Sequence, residues 1–142
     1  LYLNKYHYGG LAVRGSKEWN RHDTPHFRND WQILTSEGKN NASANHTPAR
    51  WVDASGKVSD KTGGITVLGH PSNFRYPQAI RVHPDMPYWC FAPVVDGAFT
   101  LAPGANYKSA FRFFVHDGVA DTTAIEKAEM NYKDAPVKSL GH

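Results

Sequence analysis

A single cysteine in 142 residues excludes an internal disulfide and any metal site built from clustered thiolates. Cys90 lies in the apolar run YWCFAP and reads as a buried, inert thiol. No stretch approaches the roughly 18–20 consecutive apolar residues of a membrane-spanning helix. Charge of one sign is also scarce. The net charge is +3, and Lys and Arg are scattered with no basic run, which argues against a nucleic-acid partner. The chain contains no phosphate loop, dinucleotide fingerprint, zinc-protease helix or nucleophile elbow, so the chemistries those motifs serve have no foothold. Internal repeats of the solenoid or propeller kind are missing too.

Turn formers and rings are plentiful. Twelve Gly and nine Pro punctuate the chain, and aromatics make up 13 % of it. Between the turns lie eight short runs of strand type: YGGLAVR (8–14), WQILT (31–35), ARWVDA (49–54), GITVLG (64–69), QAIRVH (78–83), YWCFA (88–92), AFTLA (98–102) and NYKSAFRFFVH (106–116). A Gly turn is expected in DASGK, after the third of these. In the last run Tyr107, Phe111, Phe113 and Val115 share one parity, which predicts a half-buried strand with those residues inward. Residues 121–135 alone read as helix. Thr123 and Glu126 fit a capping box, Ile125, Ala128 and Tyr132 form one stripe, and Pro136 stops the run. The fold class that follows is all-β: an antiparallel β-sandwich, over residues 1–142, with one short helix near the C-terminus. The polar, Asn-rich stretch 35–48 reads as a mobile loop, with Asn41 and Asn45 heading glycosylation sequons.

The stretch GHPSNFRYP (69–77) concentrates the polar chemistry. Pro71 and Pro77 fix φ and stiffen the loop, so His70, Asn73 and Arg75 are presented at low entropic cost. Such fixed donors and acceptors suit a sugar, whose hydroxyls demand several aligned hydrogen bonds. The same pattern also suits a rigid turn in which Asn73 caps backbone groups and His70 bonds within the loop. Arg81 and His83 alternate with Ile80 and Val82 and therefore share a face, either a cleft wall or plain surface. Arg14 ends a strand whose Gly9 and Gly10 allow close backbone approach. Glu37 is the one acid of the polar loop, a partner for a His in proton transfer or a solvated side chain. His22 and His26 are four apart but flank Pro25 in HDTPH, so they form no helical ligand pair. They make a loop metal pair or a solvated loop. No metal and no cofactor is expected.

Taken in order, YGGLAVRG, TSEGK, WVDASG, GGITVLGHPSNFRYP and FRFFVHDG resemble the bacterial PmoA-like family, also labelled "methane oxygenase PmoA". The resemblance runs from Tyr8 to about Tyr132. It implies a soluble β-sandwich, half of a supersandwich, corresponding to the C-terminal half of a longer exported protein. The missing N-terminal half, or another subunit, would then be a partner, and the periplasm or cell exterior the compartment. It places Arg14, Glu37, His70 and Asn73 on recurring motif positions. Together with the residue reading, it implies a carbohydrate ligand and no nucleic-acid or membrane partner. His70 and Glu37 would be the catalytic acid and base of a proton transfer. Arg14, Asn73, Arg81 and His83 would hold substrate oxygens. The alternatives are a non-catalytic accessory or structural domain and, following the family label, a metal-dependent oxygenase.

Overall fold

The computed structural model describes residues 1–20 and 31–137; the His22/His26 pair lies outside them. Among the described residues nine strands and one helix follow in order: β1 (Tyr2–Leu3), β2 (Ala12–Arg14), β3 (Gln32–Thr35), β4 (Trp51–Val58), β5 (Lys61–Gly69), β6 (Ile80–Val82), β7 (Tyr88–Phe91), β8 (Phe99–Thr100), β9 (Phe111–Asp117) and α1 (Thr122–Lys133). A short 3-10 turn, Lys17–Trp19, follows β2. All pairings are antiparallel. A four-stranded sheet runs β3-β4-β5-β9, a three-stranded sheet runs β2-β7-β6, and β1 pairs with β8. The predicted all-β sandwich with one late helix is the architecture found.

The core lies between the two larger sheets. Alternation puts Ile33, Val52, Ala54 and Val67 on one inner face and Val82, Trp89, Phe91 and Ile80 on the other, with Trp19 and Trp31 completing the cluster. The opposite face of the four-stranded sheet carries Trp51, Leu68 and Phe114, and α1 covers it with Ile125 and Tyr132. The predicted apolar stripe of α1 is therefore the buried one. Its start differs from expectation. Asp121, not Thr123, is the N-cap, and its carboxylate accepts from the Ala124 N–H at 3.1 Å.

Three other expectations are corrected. DASGK is not a turn, because β4 runs through it and the chain reverses at Ser59, where φ is +55°. Gly56 serves close packing instead. A Cβ there would lie 2.8 Å from the Trp19 indole and 3.0 Å from the Trp31 backbone. In β9, Phe113 and Val115 share the face of Val67 and Ile65 but stay uncovered, at 51 % and 75 % exposure. Both apolar parities were available in FRFFV, and α1 selected that of Phe114. The three-stranded sheet covers the other face only near Phe111, which stacks on Phe91. The Asn-rich stretch is no free loop either. Asn41 Oδ1 accepts from Ile33 N–H, Asn45 Oδ1 accepts from Val82 N–H, and Ala44 is wholly buried.

Candidate functional site

The three-stranded sheet has an outer face set by its register. Ala12, Cys90 and Arg81 form one row across it. Arg14 pairs with Tyr88 in the next row, and the His83 N–H closes onto the Tyr88 carbonyl at 2.9 Å. Since Val13, Val82 and Trp89 point into the core, Arg14, Arg81, His83 and Tyr88 point away from it. Tyr8 folds over this face because Gly10, at φ +77°, lets the backbone pass close to the Phe91 carbonyl, where a Cβ would sit 2.4 Å away.

The result is a cleft of about 230 Å³ lined by Tyr8, Arg14, His83, Met86 and Tyr88. The Tyr8 and Tyr88 rings meet edge to face at 5.7 Å. The Arg14 guanidinium lies over Tyr88 at 5.6 Å, and among the described residues its hydrogen-bond partner is the Met86 sulfur, at 3.9 Å. Arg81 lies over Tyr8 at 5.5 Å and is steadied by the Asn45 side chain and the Val82 carbonyl. His83 caps the β6–β7 hairpin. Its Nδ1 accepts from the Asp85 and Met86 N–H groups at 3.1 and 3.0 Å, so the ring proton resides on Nε2. Burial pushes the Tyr88 phenol above its ordinary range, and neighbouring Cys90 adds to this while Arg14 opposes it. Burial likewise raises the Cys90 thiol, which is wholly buried beneath this surface. Tyr8 also lines an apolar cavity of about 400 Å³ with Tyr6, Val94, Phe99 and Tyr107.

Arg14 and His83 thus line one cleft, with Arg81 on the same sheet face over Tyr8, whereas His70, Asn73 and Glu37 lie in other surroundings. The His70 ring is buried. Its Nδ1 meets Ser72 Oγ at 2.7 Å and accepts from the Ser72 N–H at 3.1 Å, while Nε2 lies 3.3 Å from the Ala135 carbonyl. Tyr132 packs against it edge-on. Asn73 is buried and uses its whole carboxamide on Ala110, donating to the carbonyl and accepting from the N–H. Arg75, with φ +59°, donates to the Pro93, Gly97 and Ala98 carbonyls and lies over Phe74 and Phe99. In this loop the side chains are spent on the fold. Glu37 approaches Arg50, whose guanidinium also meets Glu126 and Glu129. Burial works against the Arg50 charge, but hydrogen bonding and attraction from the glutamates outweigh it and hold its pKa above the ordinary value.

A second polar constellation escaped the sequence reading. On the helix side of the large sheet, His116 of β9 reaches across β5 to Asp53 of β4, with Nε2 2.7 Å from Oδ1. The Thr66 hydroxyl donates to the same oxygen at 2.7 Å. Asp53 is wholly buried, and its Oδ2 and the nearby Ser55 Oγ have no partner. Gly64, between Ser55 and His116 in register, provides the room. The GG pair inside β5 was the available signal. Among the described residues no group of three or more His, Cys, Asp or Glu is arranged to hold a metal ion, and no helix is long and apolar enough to cross a membrane.

Over residues 1–129 the chain matches a family of unknown function (DUF6807), and it belongs to that family. This corrects the PmoA-like assignment drawn from the five motifs, since the family that matches carries no oxygenase description. No curated protein and no solved structure matches the chain.

Proposed function

We propose that this family member is a carbohydrate-binding β-sandwich that holds its ligand on the outer face of the β2-β7-β6 sheet and performs no chemistry there. The placement of Arg14 and His83 in one cleft with the rings of Tyr8 and Tyr88, and of Arg81 over Tyr8, carries this reading. A sugar ring offers an apolar C–H face to an aromatic plane and hydroxyls to surrounding donors, and this cleft supplies both. Its volume of about 230 Å³ suits a single sugar unit, with longer chains extending over the open surface.

Binding rather than turnover is favoured because, among the described residues, the cleft lining contains no carboxylate to pair with His83. The expected acid and base are each engaged elsewhere, Glu37 toward Arg50 and His70 with Ser72 and the end of α1. Calorimetric titration with a panel of mono- and oligosaccharides tests the reading. Binding is expected at one site per chain, and Tyr88→Ala should abolish most of it while the fold persists. Reducing sugar released from the panel, or binding untouched by Tyr88→Ala, would refute it.

A further inference from the structure

The same cleft carries information about charge. We infer that the ligand is an anionic saccharide whose acid group sits against Arg14 and Arg81. This rests on the carbohydrate reading above and narrows it to sugars bearing a carboxylate or a sulfate.

Two guanidinium groups and one imidazole share the outer face of a three-stranded sheet: Arg14 and His83 line the cleft, Arg81 lies over Tyr8 at its edge, and among the described residues no Asp or Glu lines it. Elsewhere the chain treats its working arginines differently. Arg50 is matched by Glu37, Glu126 and Glu129, and Arg75 spends its donors on three carbonyls. Among the described residues Arg14 has a thioether and a ring beside it and no acid, and the residue is exposed. Arg81 is held rather than consumed. Its NH1 is fixed by Asn45 and the Val82 carbonyl, while its Nε is buried without a partner. His83 is likewise fixed through Nδ1, leaving the Nε2–H as its unused donor. Preorganised donors with no internal acid meet an anionic oxygen at little ordering cost, and a planar guanidinium suits a carboxylate or sulfate geometrically. A neutral sugar would leave these charges unmatched. Tyr8 and Tyr88 supply the apolar surface for the ring that bears the acid group.

The test compares three probes by calorimetry: an oligogalacturonate, a sulfated galactose oligomer and a neutral galactose oligomer. The inference expects one or both charged probes to bind at least tenfold more tightly than the neutral one. Which charged probe binds identifies the acid group as carboxylate or sulfate. Affinity should fall as salt is raised from about 0.05 M to about 0.5 M. Arg14→Ala should weaken charged-probe binding about ten- to a hundredfold, with Arg81→Gln acting in the same direction. Thermal melts of both variants near that of the parent would show that the fold is intact. Equal affinity for charged and neutral probes would overturn the inference and leave the sugar-binding reading standing. Binding of none of the three would overturn both. Tight charged-probe binding unchanged in both arginine variants would overturn the assignment of the acid group to this cleft.

Discussion

Replacing Gly64 by alanine should cost this protein several kcal/mol although the added group is one methyl. A Cβ at residue 64 would lie 2.6 Å from His116 Cε1, 2.8 Å from its Nε2 and 2.7 Å from Ser55 Cβ. Ordinary carbon contacts begin near 3.5 Å, so the imidazole must retreat by about 1 Å. The His116–Asp53 contact is now 2.7 Å, and after that retreat it would exceed hydrogen-bonding range. Asp53 is wholly buried, and removing the partner of a buried charge costs about 3–5 kcal/mol. The Thr66 hydroxyl stays on Oδ1, which argues for the lower end, about 3 kcal/mol. Crowding against Ser55 adds about 1–3 kcal/mol, and removing a strand glycine returns about 0.5–1 kcal/mol. The expected loss is therefore about 3–5 kcal/mol, a large share of a typical domain's stability. Urea denaturation of Gly64→Ala, His116→Ala and the double variant measures it. With His116 already removed, Gly64→Ala should cost no more than about 2 kcal/mol, because only the Ser55 contact remains. A Gly64→Ala variant within about 0.5 kcal/mol of the parent, or strictly additive single changes, would refute the reasoning.

Two further outcomes follow from the buried groups. His70→Ala should destabilise by about 1–3 kcal/mol, because Ser72 loses its partner inside the turn, while sugar affinity of the folded variant stays unchanged; weakened binding at full stability would reverse this assignment. Cys90 should resist a thiol reagent in the native state at about pH 8 and react once unfolded, since burial disfavours its thiolate. Its folded pKa is raised, so its contribution to stability is complete below the unfolded value near 8.5 and is lost as pH climbs through the folded one. Rapid native labelling at pH 8 would contradict the burial.

The parts legible in the sequence were those in which a single periodicity had no rival. Ile80 and Val82 of β6 alternate with Arg81 and His83, and Ile125, Ala128 and Tyr132 mark one side of α1. FRFFV offered apolar residues on both parities, and only the position of α1 decides between them. Gly56 looked like a turn residue because a glycine's use as space for Trp19 depends on a neighbour 37 residues away. Within the candidate site, the shared face of Arg81 and His83 could be read from β6 alone. Their meeting with Arg14 and Tyr88 needed the register of β7 between two strands distant in sequence. GHPSNFRYP was read as a stiff turn, but that reading could not reveal whether its polar groups turn outward or into the backbone. Asp53 and His116 are 63 residues apart and on non-neighbouring strands, so no local pattern joins them.

The Arg75 side chain has a topological meaning beyond its contacts. By binding the Pro93, Gly97 and Ala98 carbonyls it ties the turn at 70–77 to a segment about twenty residues downstream, closing a loop much as a covalent staple would. A cystine closing a loop of that size stabilises by about 3 kcal/mol in the chain-entropy model and is forfeited under reduction. The guanidinium clamp forms without an oxidant and cannot be cut by a thiol. With Cys90 as its sole cysteine, the folded chain should have the same stability with and without a reductant.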